Sequence, residues 1–136
     1  MSDLIERLEK ATGPDRELDA EICRAVGHSV ETDRHFAEPL YATSSARGAW
    51  FKVPRYTGDI SDAATLLKEG AAVELCWWPG EPARAVVIET AWREFGDRRN
   101  PQMAWVHSRA DGDRRIEAIA ATPAIALCIA RLKASA

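Results

Sequence analysis

The residues in this sequence best suited to binding or chemistry are aromatic rings interleaved with arginines. Pro54-Arg55-Tyr56-Thr57 stands just before a helix start. Trp77-Trp78 close one strand-like stretch, Arg84 opens the next, and Trp92-Arg93 end it. Arg98 and Arg99 fall in the polar loop that follows, and Trp105 and His107 share one face of a further stretch. Rings of this kind stack on nucleobases, while the planar guanidinium fork grips phosphate or carboxylate through two parallel hydrogen bonds. The candidate binding residues are therefore Arg55, Tyr56, Trp78, Arg84, Arg93, Arg98, Arg99, Trp105 and His107. The same residues also have a plainer use. Tryptophan in a small sheet ordinarily belongs to the core, and alternation puts Trp77 with Val73 and Leu75 on an inward face, with Trp92 also inside. Loop arginines are ordinarily solvated.

Motifs that would carry catalysis are missing. There is no glycine-rich phosphate loop, no His-Glu-x-x-His and no nucleophile elbow. Ser44, Ser45 and Cys76 have no base marked beside them, and Asp59 and Asp62 read as helix caps. His28 and His35 lie seven residues apart with no third ligand in register. Glu17 and Glu21 are one helical turn apart with no accompanying histidine, so a solvated face is the expectation. Cys23, Cys76 and Cys128 are odd in number, widely spaced and set among apolar neighbours, which fits buried free thiols. The expectation is a protein that is not an enzyme and needs no metal or cofactor.

A chain of 136 residues, 46% hydrophobic, fits a single globular domain. No apolar run approaches the roughly 20 residues that cross a membrane, and the acidic start Met1-Ser2-Asp3-Leu4-Ile5-Glu6 does not read as a signal peptide. The formal net charge of −3 gives no overall attraction to nucleic acid or anionic lipid. Its distribution is uneven: residues 1–24 hold seven acids against four bases, whereas residues 93–115 hold six arginines against four acids. Fourteen of the 18 bases are arginine. That suits phosphate contacts, and a GC-rich genome produces the same bias without any function.

These residues are positioned by a short run of elements. Thr122 caps a last helix, Pro123 fills its first position, and nothing from Ala124 to Ala130 is polar. A helix apolar on every side must be buried on most of them. At the other end, Ser2 to Ala11 and Asp15 to about Val26 read as a helical hairpin with stops at Gly13-Pro14 and Gly27. His28 to Thr57 reads as a long loop, with Ala49 to Val53 as one short strand. Asp59 or Ser61 caps a third helix. After Gly70 the period changes to two: Val73-Leu75-Trp77 and Val86-Ile88-Thr90-Trp92 form a hairpin about Pro79-Gly80-Glu81-Pro82. Met103 to Arg109 reads as a third strand, and Asp111-Gly112 is a tight-turn signal that leads into a weaker fourth strand over Arg114 to Ile119. The continuous run Val86-Val87-Ile88 marks a sheet covered on both faces. The fold class expected is α/β of the α+β kind, with an antiparallel three- to four-stranded sheet flanked by helices in a three-layer α/β/α sandwich. Residues 1–136 form one domain: a helical hairpin over 1–27, a long loop over 28–57 and an α-β-β-β(-β)-α core over 58–134.

The chain resembles small phage and prophage proteins described as the phage "ABA sandwich" domain. The likeness rests on Leu4-Ile5-Glu6-Arg7-Leu8-Glu9-Lys10-Ala11, on Arg16-Glu17-Leu18-Asp19-Ala20-Glu21-Ile22, on Tyr56-Thr57 followed by Ser61-Asp62-Ala63-Ala64, and on Ala121-Thr122-Pro123-Ala124-Ile125-Ala126-Leu127-Cys128. The ending is the most distinctive of these. The resemblance implies a three-layer α/β/α fold and a phage-encoded protein at work in the cytoplasm of a bacterial host. It carries no catalytic residues over. The function expected is a non-catalytic interaction protein, a modulator of a host process or a counter-defence factor. Its partner would be a host or phage protein or a second copy of the chain. The alternative is a nucleic-acid or nucleotide binder of the sponge kind, working through the aromatic and arginine surface. The helix, three strands and helix also follow the order of double-stranded-RNA-binding domains, but those domains place lysines where Thr122-Pro123-Ala124-Ile125 is uncharged.

Overall fold

A computed structural model describes residues 2–32, 38–42, 50–67, 71–89 and 114–135. The first two elements are α1 (Ser2–Lys10) and α2 (Arg16–Ala25). The Asp15 side chain caps α2 by accepting from the backbone N–H groups of Glu17 at 2.9 Å and Leu18 at 3.2 Å. This satisfies donors that the first helical turn leaves without partners. The helix ends at Gly27, whose φ of 102° places it in the left-handed region that glycine enters without steric cost. Arg7 ties the two helices on their wet side, with Glu21 at 2.6 Å and Glu17 at 3.8 Å. That accounts for the Glu17–Glu21 pair as a solvated, ion-paired face.

Residues 28–57 depart from the long loop expected of them. They contain β1 (Ser29–Glu31), β2 (Leu40–Ala42) and β3 (Phe51–Lys52), joined in an antiparallel sheet of order β1-β2-β3. Strands of three residues are too short to display a two-residue period, so only the pairing Val30↔Tyr41 reveals β1 and β2, whereas β3, paired at Tyr41↔Phe51, falls within the short strand expected over Ala49 to Val53. A short helix α3 (Ile60–Ala64) follows, capped by Asp59 through the N–H groups of Ser61 at 2.8 Å and Asp62 at 3.4 Å.

The larger sheet has the order β4-β5-β6, with β4 (Ala72–Cys76), β5 (Ala83–Glu89) and β6 (Arg114–Ala120), all antiparallel. Gly80, at φ 85°, turns the β4–β5 hairpin. The weaker strand over Arg114 to Ile119 is thus a full member of the sheet, and its partner is β5. The third strand expected over Met103 to Arg109 lies outside the described residues.

The last helix, α4 (Pro123–Ser135), is the centre of the core. Thr122 Oγ1 accepts from the Ile125 N–H at 3.3 Å, and every residue from Ala124 to Ala130 is buried. The helix lies across β5 and β6 and is flanked by α1 and α3. The sheet face beneath it presents Ala83, Ala85, Ala118 and Ala120 around Val87 and Ile116. Short side chains let the helix approach closely, and Ile125, Leu127, Ile129 and Leu132 supply the bulk of the packing. The protein is α+β: the described residues form two three-stranded antiparallel sheets with helices packed on them. On the other face of the larger sheet Val86 is buried, while Arg115, Glu117 and Ile119 are exposed.

Two expectations about side chains are corrected. Trp77 is 55% exposed rather than in the core, together with Val73 and Leu75. The register places Val73 and Leu75, opposite Val87 and Ala85, on the α4 side of the sheet, and Trp77 follows directly after β4; β4 is the outer strand among the described residues, while α4 covers β5 and β6. Cys76, on the same strand, is exposed, whereas Cys23 and Cys128 are buried.

Candidate functional site

Asp19 fixes the segment Val53–Asp59 against α2. It is 1% exposed and sits one turn into the helix, where its carboxylate meets that segment. The Thr57 N–H donates to Asp19 Oδ1 at 2.7 Å, and the Thr57 hydroxyl lies at 2.7 Å from the same oxygen. The hydroxyl oxygen in turn accepts from the Asp15 N–H at 2.8 Å. Arg16 Nη1 donates to Asp19 Oδ2 at 2.8 Å and to the Pro54 carbonyl at 3.2 Å, and Arg16 Nη2 donates to the Val53 carbonyl at 2.7 Å. A buried carboxylate is tolerable in this setting because charge-assisted hydrogen bonds reach both of its oxygens.

Two clefts open beside this clamp and share Pro54 and Asp62. The first, of about 380 Å³, is bordered by His28, Tyr41, Tyr56, Thr65 and Arg131. His28 and Tyr41 stack in a tilted arrangement with ring centroids 5.3 Å apart, and Arg131 Nε donates to the Leu66 carbonyl at 2.7 Å. The second, of about 410 Å³, is bordered by Arg16, Glu38, Lys52, Arg55 and Asp62. The Arg55 N–H donates to Asp62 Oδ2 at 2.8 Å, and Arg55 Nη2 donates to Glu38 Oε1 at 2.9 Å.

The candidate residues named from sequence divide among different places. Arg55 lines the second cleft. Tyr56, its neighbour, turns inward and is 4% exposed, so it is not the free stacking ring expected of it. Its ring joins the core cluster, and burial pushes its phenol above the usual range. Trp78 is 69% exposed at the end of the β4–β5 hairpin. Arg84 is paired with Glu117 through two contacts, Nε to Oε1 at 2.8 Å and Nη2 to Oε2 at 3.1 Å. Arg93, Arg98, Arg99, Trp105 and His107 lie outside the described residues. Arg16, Glu38 and Lys52 had no sequence signal as a group. They come from three separate stretches, and only the pairing Leu40↔Lys52 and the Arg16 clamp bring them together.

The two buried thiols are not poised as nucleophiles. Cys128 Sγ donates to the Tyr56 carbonyl at 3.3 Å, and burial raises the pKa values of both Cys128 and Cys23. These thiols stay protonated at neutral pH, and a neutral thiol is a poor nucleophile. Among the described residues no group of three or more His, Cys, Asp or Glu side chains is placed to hold a metal ion, and no helix is long and apolar enough to cross a membrane. Compared with known protein families, with characterised proteins and with solved structures, the chain has no match.

Proposed function

We propose that the protein is a non-catalytic interaction protein that docks a partner polypeptide along β4. The observation that carries this is the state of that strand: all five residues from Ala72 to Cys76 are exposed, Val73 and Leu75 share one face, and exposed Trp77 follows directly after them. Its outer edge has no strand partner among the described residues. Unpaired edge N–H and C=O groups are a template for a further strand, and natural sheets ordinarily protect such edges with charges, bulges or proline. Here the strand carries one charge, Glu74, and is followed at once by Trp77 and Trp78. Exposed tryptophans beside an open edge are what a partner's buried anchor positions look like. The further expectation, a phage-encoded modulator of a host process or a counter-defence factor, is supported by the resemblance of the chain's two ends and third helix to the phage "ABA sandwich" domain.

A polypeptide is favoured over single-stranded nucleic acid at this strand because Arg84, the described candidate arginine of the same sheet, is already engaged by Glu117. The test is affinity capture from bacterial lysate with the full chain and with Val73→Glu/Leu75→Glu. A partner retained by the natural chain and lost by the variant supports docking along β4. Retention by both, or by neither, removes the proposal. Filter binding of single-stranded DNA at low salt is expected to be negative; strong retention that falls steeply with salt would put the nucleic-acid reading first.

A further inference from the structure

Three cations from separate elements gather on one carboxylate beside α2. Glu38 Oε1 lies 2.9 Å from Arg55 Nη2 and 4.0 Å from Arg16 Nε, and Glu38 Oε2 lies 3.7 Å from Lys52 Nζ. Only the first of these is a hydrogen bond. Arg16 is held rigidly. Its Nη1 and Nη2 are committed to Asp19, Pro54 and Val53, so the guanidinium has no freedom to swing out and solvate itself. Its Nε is buried and has no hydrogen-bond partner among the described residues. A buried donor left without an acceptor is costly, and such atoms in native proteins call for a cause.

The charges point the same way. Asp19 already neutralises Arg16 from behind. In front, Lys52 and Arg55 face Glu38, while Asp62 accepts from the Arg55 backbone. One carboxylate brings two oxygens to this cleft and makes one hydrogen bond there. A phosphate brings more oxygens and up to two charges, enough to accept from Arg16 Nε, Arg55 and Lys52 together. The cleft, of about 410 Å³, has room for such a group once Glu38 rotates away. Glu38 is itself partly exposed, and among the described residues no hydrogen bond other than that from Arg55 fixes its carboxylate.

We propose that this cleft is a phosphate-binding site and that the Glu38 carboxylate is its internal occupant, displaced when a phosphate group enters. Arg16 supplies the fixed donor; Lys52 and Arg55, both largely exposed, supply the mobile charge. The site is separate from β4 and does not depend on the docking proposed there.

The test is titration of the full chain with inorganic phosphate, followed by calorimetry and phosphorus NMR, with sulfate as the control anion. The natural chain is expected to bind phosphate weakly, and Glu38→Gln to bind it roughly tenfold more tightly, the scale of one charged hydrogen bond released from competition. Lys52→Gln and Arg55→Gln, placed in the Glu38→Gln background, should each reverse that gain without lowering Tm. Adenosine monophosphate and phosphoserine then distinguish a nucleotide source from a phosphorylated side chain: whichever binds more tightly than inorganic phosphate names it. If Glu38→Gln binds phosphate no better than the natural chain, or if Lys52→Gln and Arg55→Gln leave binding unchanged, the cluster is only an ion-pair network and the proposal fails. Val73→Glu/Leu75→Glu should leave phosphate binding intact, which separates this outcome from the fate of the β4 edge.

Discussion

Thr57 places both its backbone N–H and its hydroxyl oxygen 2.7 Å from Asp19 Oδ1, across 38 residues of sequence. The other carboxylate oxygen is taken by Arg16 at 2.8 Å. The result is a buried ion with no lone acceptor. It joins α2 to the segment that leads into α3, and it holds in place the wall shared by the two clefts. An aspartate on the inner face of an amphipathic helix breaks the apolar pattern, and here the break is what specifies where residues 53–59 dock.

Removing that carboxylate should be among the most damaging single changes in the chain. Asp19→Ala leaves Arg16 without its hydrogen-bonded counterion and the buried Thr57 N–H without an acceptor. Breaking one side of a buried, hydrogen-bonded pair costs roughly 3–5 kcal/mol. Urea unfolding should show a loss of at least about 3 kcal/mol, with Thr57→Val less affected because the Arg16 contact survives. A loss under about 1 kcal/mol for Asp19→Ala would mean that the clamp does not organise this part of the fold.

The contrast between α4 and β4 gives a second expectation. Leu127 is 1% exposed in the middle of α4, so Leu127→Ala should cost roughly 2–5 kcal/mol through lost burial and the cavity left behind. Val73 on β4 and Trp77 directly after it are as apolar but exposed, and Val73→Ala or Trp77→Ala should stay within about 0.5 kcal/mol. Comparable losses at all three positions would show that β4 is covered and that its face is not free for a partner.

The last helix was legible because its signals agree: the Thr122 cap, Pro123 in the first position and seven apolar residues can be satisfied only by burial. The caps at Asp15 and Asp59 were legible for the same reason, since each acts on N–H groups two and three residues away. Trp77 misled because alternation reports the face of a residue and not whether anything covers that face. Val73 and Leu75, with which alternation groups it, are on the α4 face, yet α4 lies over β5 and β6. Tyr56 misled in the opposite sense: beside Arg55 and before a helix cap it reads as a surface ring, but the Thr57–Asp19 bond turns the chain so that Tyr56 enters the core. The Arg16, Glu38 and Lys52 cluster had no local pattern. It depends on strand pairing between residues 40 and 52, which only three-dimensional register supplies.

The cysteines should separate by reactivity. Cys76 is exposed on β4, while Cys23 and Cys128 are buried and burial raises both their pKa values. Native protein treated with a thiol-reactive chromogenic disulfide near pH 8 should release the equivalent of one thiol quickly, and protein in denaturant should release three. Tryptic mapping with iodoacetamide should place the fast site at Cys76. Rapid labelling of Cys128 in native protein would contradict the placement of α4 at the centre of the core.

Arg84 and Glu117 are diagonal neighbours on β5 and β6, opposite Ile119 and Val86 respectively, and their pairing should have a recognisable pH dependence. The Arg84 hydrogen bond holds the Glu117 carboxyl below its ordinary value of 4.5. A carboxyl whose folded pKa is depressed contributes stability above its unfolded pKa, and that contribution disappears as pH falls through the folded pKa. The coupling between Arg84→Gln and Glu117→Gln in a double-mutant cycle should therefore be favourable at pH 7 and vanish on acidification below the ordinary carboxylate range. Both side chains are exposed, so the coupling should be small and should shrink in added salt. A coupling that persists at low pH would mean that packing of the two aliphatic stems, rather than charge, holds the pair. In that event the Arg84 guanidinium would be free to meet a ligand, and the preference for a polypeptide partner over a nucleic acid would lose its support.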